Sequence, residues 1–184
     1  MNIIIAGCGK VGRALAEQLS KEKHDITVID LKPESIQLVT NAADVRGVVG
    51  NGASYDIQMD AGVDKADLMI AVTNADEVNL LCCLIAKKAG GCQTIARVRN
   101  PVYHHEIHHI KDELGLSMVI NPEWAAAMEM ARLLRFPSAI DIDTFANGRI
   151  ELLRFQLDDK NPLCGHKIRD LDTLSKCEVL VCIV

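Results

Sequence analysis

From Asn2 to Ile120, short apolar runs alternate with stretches of helical periodicity, and that alternation rules out most folds other than a layered one. Asn2–Ala6 has the character of a strand buried on both faces. Val11–Lys21 follows, with Val11, Leu15 and Leu19 on one helical face. Asp25–Asp30 reads as a second strand, and Pro33 opens the next helix at a position that needs no N–H donor. Val45–Val49 is a third strand, Ser54–Asp60 a short helix and Asp67–Val72 a fourth strand. A long helix from Asp76 to Ala89 stops at Gly90-Gly91. Thr94–Val98 is strand five, Pro101–Leu114 a helix ended by Gly115, and Ser117–Ile120 strand six. The pattern predicts an α/β fold: a Rossmann-like, doubly wound, six-stranded parallel sheet with right-handed crossovers.

The alternation breaks after strand six. Asn121-Pro122-Glu123 places an N-cap, a proline and an acidic residue in the order that starts a helix, which runs to Arg135. It is expected to be a crossover helix, with Trp124, Met128, Met130, Leu133 and Leu134 left to form an interface. Ala139–Phe145, an Asn147-Gly148 turn and Ile150–Leu157 read as a hairpin. A short helical piece at His166–Leu171 and a strand at Glu178–Val184 follow. The expected division is a domain over 1–136 and a partial α+β subdomain over 137–184. Because the chain ends inside an apolar strand, it is expected to be part of a longer one.

Composition narrows the function. Lys+Arg 20 against Asp+Glu 25 gives a net charge of −5, and aromatic residues make up 3%. Neither the charge for sequence-independent nucleic-acid binding nor the aromatic platform for stacking bases is there. No apolar run reaches the roughly 18–20 residues of a membrane span, and the start lacks the basic and apolar regions of a signal peptide. Seven cysteines without a C-x-x-C pair read as reduced, mostly buried thiols of a cytoplasmic protein.

Gly7-Cys8-Gly9-Lys10-Val11-Gly12 is G-x-G-x-x-G, placed directly after the first strand and opening a helix. In that setting the first glycine permits the tight turn, the second lets a pyrophosphate approach the backbone, and the third lets the helix pack on the sheet. Asp30, with Leu31 and Lys32 behind it, closes strand two, 18 residues after Gly12. A carboxylate there accepts the hydroxyls of an adenosine ribose and repels a 2′-phosphate, which favours NAD+/NADH or ATP/ADP over NADP. Asn51, Gly52 and Ala53 after strand three are candidates beside the adenine, and Thr73 and Asn74 after strand four for the ribose or phosphates. Arg97 and Arg99 point to one face at the end of strand five, either as phosphate ligands or as an ion-paired strand end.

Together, Gly7–Gly12, Asp30, Val49-Gly50-Asn51-Gly52, Ala61-Gly62, Ala66-Asp67, the Ala71–Asn79 segment, Ile95–Arg99 and Asn121-Pro122-Glu123 resemble the TrkA family. Its members are cytoplasmic regulatory subunits of bacterial and archaeal Trk potassium-uptake systems, built from RCK (KTN) domains. The likeness is strong from Met1 to Phe136 and looser from Ile150 to Val184. It implies an RCK N-terminal domain followed by the start of an RCK C-terminal subdomain. It further implies assembly into homo-oligomers and rings, no catalytic activity, and nucleotide-driven gating of a separate membrane-embedded potassium transporter. By position it assigns the phosphate loop to Gly7–Val11, the ribose carboxylate to Asp30, dinucleotide contacts to Thr73 and Asn74, and a ligand contact to Arg97. Many relatives carry Asp where this chain has Asn51.

Two other patterns point elsewhere. His105-Glu106-Ile107-His108-His109 matches H-E-x-x-H, yet the α/β repeat around it offers no third zinc ligand, and a solvated helix face is expected. An NAD-dependent oxidoreductase is the alternative function. It needs a substrate domain and a positioned acid or base, and neither Tyr55 nor Tyr103 has a Lys four positions on.

Overall fold

A computed structural model describes residues 1–146, 149–171 and 180–182, apart from the side chains of residues 104, 105 and 108. The chain forms two compact units, Met1–Ala126 and Ala127–Val184.

The first unit is a six-stranded, all-parallel sheet in the order β3-β2-β1-β4-β5-β6, the Rossmann order. The strands are β1 (Asn2–Ala6), β2 (Asp25–Asp30), β3 (Arg46–Val49), β4 (Leu68–Ala71), β5 (Gln93–Arg97) and β6 (Met118–Ile120). Between them run α1 (Lys10–Lys21), α2 (Pro33–Ala42), α3 (Tyr55–Asp60), α4 (Asp76–Gly90) and α5 (Pro101–Ile110). The expected alternation and sheet are therefore present.

Because side chains alternate across a strand, β1 feeds two separate cores. Ile3 and Ile5 pack with Ala16 of α1, Ile26 and Val28 of β2, and Ile36 and Val39 of α2. Ile4 and Ala6 pack on the other face with Met69, Cys82, Cys83, Ala86 and Ala96. Each fully buried isoleucine contributes about 1.5–3 kcal/mol, which explains why a five-residue strand can anchor the sheet's centre.

Most boundaries fall within a residue of expectation; one helix ends early, and one short element was not expected. Helix α5 ends at Ile110, four residues early, because the chain passes through turns to Gly115 at φ 66°, where the Leu116 amide bonds back to the Lys111 carbonyl at 2.9 Å. A 3-10 turn at Val63–Lys65, carrying the fully buried Val63, links α3 to β4.

Helix α6 (Pro122–Arg135) starts in the first unit. Asn121 caps it, its Oδ1 accepting the Trp124 amide at 2.9 Å. In the second unit, β7 (Ala139–Phe145) and β8 (Ile150–Phe155) pair antiparallel, and Arg135 reaches Glu151 at 3.0 Å. The expected turn at Asn147-Gly148 lies outside the described residues, as does most of the expected strand at 178–184. The piece expected at His166–Leu171 is a 3-10 turn over Ile168–Asp170. Among the described residues, no helix is long and apolar enough to cross a membrane.

Candidate nucleotide-binding site

A cleft of about 670 Å³ opens at the carboxyl ends of β1, β2, β4 and β5, where the strand order reverses. Its wall includes Gly7, Gly9, Lys10, Val11, Asp30, Leu31, Lys32, Asn51, Gly52, Thr73, Asn74, Arg97 and Arg99. Thirteen of the sixteen expected site residues thus share one cavity.

The other three stand behind the wall. Cys8 is 1% exposed and points into the core with Ile5 and Val72. Burial, and secondarily the Asp30 carboxylate, push its thiol up to about 12, so it stays protonated and is a poor nucleophile. Gly12 lies under the glycine loop: a Cβ there would come within 1.8 Å of the Gly7 carbonyl oxygen. Ala53 is partly buried against the core cluster that holds Cys82 and Cys83.

The loop's shape follows from its glycines. Gly7 has φ 103°, a left-handed conformation, and a Cβ on it would meet the Thr73 and Val72 backbone at 2.8–2.9 Å. Its amide bonds to the Ile29 carbonyl at 2.8 Å, which pins the turn to β2. Gly9 instead has open space where a Cβ would be, so that side of the loop faces the cleft. Gly9 caps α1 without any side-chain hydrogen bond, and no acidic residue occupies the first turn. The free amides and positive end of that helix therefore lie uncompensated beside the cavity, with Lys10 adding a like charge.

Asp30 is held in place before any ligand arrives. Its Oδ2 accepts the Cys8 amide at 2.7 Å and its Oδ1 the Lys32 amide at 2.9 Å. A carboxylate has about four acceptor sites, so both oxygens keep capacity for a diol.

The far wall depends on residues whose role the sequence analysis did not find. Asn79 is fully buried. Its Oδ1 accepts the Thr73 amide at 2.8 Å and the Thr73 hydroxyl at 2.7 Å, while its Nδ2 donates to the Arg97 carbonyl at 2.9 Å. One amide side chain thus ties the end of β4 to the end of β5. Asp76 accepts the Arg99 and Asn100 amides, each at 2.8 Å, and lies 3.5 Å from the Arg99 guanidinium. Gln58, also buried, donates to the Gly52 and Cys82 carbonyls at 2.7 and 2.9 Å and fixes the loop after β3. Ser35 lines the cleft as well. Arg97 and Arg99 both face the cleft and both have acidic partners, Glu123 and Asp76. Of the two readings offered for them, the ion-paired strand end is the one these contacts describe.

An open-sided glycine loop, an uncapped helix end and a fixed carboxylate define a Rossmann domain of the nucleotide-binding class. The TrkA-N domain family model matches residues 3–122, and the chain belongs to that family. It is 39% identical over 171 residues to a Trk system potassium uptake protein TrkA homolog of Archaeoglobus fulgidus, covering 93% of this chain and 39% of the relative. It is 34% identical over 177 residues to the TrkA of Azorhizobium caulinodans, covering 94% of this chain and 37% of the relative. The chain thus spans under two fifths of the length of these curated relatives. The TrkA-N domain of the Escherichia coli inner membrane protein ybaL superposes with a TM-score of 0.64 at 25% identity, over 72% of this chain and 96% of that domain.

Proposed function

We propose that this chain is the nucleotide-sensing part of a cytoplasmic regulatory subunit that binds NAD(H), or ATP or ADP, and gates a membrane-embedded potassium transporter of the Trk type. The observation that carries the proposal is the Asp30 carboxylate, fixed by two backbone amides and facing a glycine loop open on the cleft side. In this reading Asp30 takes the adenosine ribose, the α1 amides with Gly7–Val11 take phosphate, and Asn51 and Gly52 lie beside the base. Thr73, Asn74, Arg97 and Arg99 face the rest of the ligand. Residues 1–136 act as the RCK N-terminal domain and 137–184 as the start of the C-terminal subdomain.

The cleft's chemistry supports an effector rather than a substrate. Its ionisable groups are Asp30, Lys10, Lys32, Arg97 and Arg99. The carboxylate already accepts two amides and each arginine pairs with a carboxylate, which leaves the described wall better suited to holding charge than to moving protons. The names of the curated relatives support potassium uptake as the process. An effector biases its partner only by binding two states unequally, typically by 1–3 kcal/mol.

The test is physiological. Cells that depend on Trk uptake and carry the full-length protein with Asp30→Ala are expected to grow poorly at low potassium. Normal growth alongside abolished nucleotide binding would remove the nucleotide as the signal.

A further inference from the structure

Arg97 joins the cleft to the start of α6. Its side chain is 14% exposed, lines the cavity, and pairs through one terminal nitrogen with Glu123, the second residue of α6. Its Nε is buried with no hydrogen-bond partner among the described residues. A guanidinium has five donors in a fixed fork, so this one is under-used where it stands. Glu123 is a weak holder: it is 53% exposed, and pairs with exposed carboxylates contribute little in water. A second contact runs along the same route, since the Asn121 side chain that caps α6 donates to the Arg99 carbonyl at 3.1 Å.

We propose that Arg97 is a charge-reading latch, exchanging the Glu123 carboxylate for the terminal phosphate of a bound nucleotide and thereby freeing the first turn of α6. This rests on the nucleotide reading of the cleft and adds what the cleft discriminates. A terminal phosphate carries close to two negative charges near neutrality and offers bidentate acceptor geometry to a guanidinium. The two phosphates of a dinucleotide are both internal, each with one ester link, one anhydride link and one charge, and compete less well with Glu123. ADP and ATP therefore open the latch and NAD leaves it closed, so one cleft gives two outputs.

The single tryptophan, Trp124, follows Glu123 directly and is half exposed, which makes it a reporter of that turn. Calorimetry and Trp124 emission are measured on this chain with ADP and with NAD. ADP is expected to change the emission and NAD to change it less than half as much. Glu123→Gln removes the competing charge at an exposed position. It is expected to tighten ADP binding about fivefold to tenfold while changing NAD binding less than twofold. Arg97→Gln should weaken ADP at least tenfold and abolish the emission change. If ADP affinity in Glu123→Gln stays within twofold of the unsubstituted chain, or ADP binds without altering Trp124, the latch is wrong while the cleft reading stands. If the unsubstituted chain binds no adenine nucleotide, both are overturned.

Discussion

The Cys8 amide donates to Asp30 Oδ2 across 2.7 Å, tying the middle of the glycine loop to the end of β2. The residue that would recognise a ribose is therefore also part of what shapes the phosphate loop. With Lys32 supplying the second amide, Asp30 has no rotamer to search for when a ligand enters.

The roles of the loop's first two glycines should separate experimentally. Gly7→Ala forces a side chain into the Thr73 backbone at positive φ, and is expected to cost about 2 kcal/mol or more in urea unfolding. Gly9→Val places its side chain in open space and should leave the unfolding midpoint nearly unchanged, yet block the cleft to nucleotides. Equal destabilisation by both would contradict the loop geometry.

Asn79→Ala removes a fully buried amide that bonds both Thr73 and the Arg97 carbonyl. The freed Thr73 amide and Arg97 carbonyl lose their partner, and a loss of about 2–4 kcal/mol is expected from chemical denaturation. Nucleotide affinity should fall as well, because the ends of β4 and β5 lose their tie. A change under 0.5 kcal/mol would mean the bond network is not holding the wall.

The contrast between Asp30 and Asn79 explains what was legible in the sequence. Gly7–Gly12 and Asp30 lie in one β-α-β unit, where spacing alone fixes their relation. Asn79, Asp76 and Gln58 look like ordinary helix residues until β5 and the loop after β3 are laid beside α4, and their partners are 6 to 24 positions away. Arg97 and Arg99 were legible as cleft residues because strand alternation gives their direction. Their acidic partners were not, since Glu123 comes close only through the pairing of β5 with β6. The early end of α5 had no clear signal, because Gly115 marks where the turns finish rather than where the helix does.

The buried thiols give a pH dependence of known sign. Burial raises Cys8 and Cys82 from 9.0 to about 12, and Cys83 and Cys92 also move upward. The unfolded chain therefore releases these protons first, so their contribution is fully present below pH 9 and declines as pH rises towards 12. Unfolding free energy measured from pH 8 to 11 should fall, and less steeply in Cys82→Ala. At pH 7.5, a thiol reagent should modify the exposed Cys164 and Cys182 far faster than these four. Rapid reaction of Cys8 would contradict its placement.

Trp124, Met130, Leu133 and Leu134 are all more than half exposed along α6. Such a run usually marks an interface, most simply a two-fold one. Sedimentation at tens of micromolar is expected to show at least a dimer, and Leu134→Glu to shift it towards monomer. A monomer in every nucleotide state would count against self-association through this helix.

The central claim is that the cleft takes an adenosine ribose on Asp30, and calorimetry tests it most directly. NAD, NADH, ADP and ATP are titrated into the unsubstituted chain and into Asp30→Ala, with thermal melting confirming that both are folded. Loss of two charge-assisted hydrogen bonds, each about 1.5–3 kcal/mol, should weaken every adenine nucleotide by two orders of magnitude or more. Binding retained within threefold in a folded Asp30→Ala protein would contradict the account.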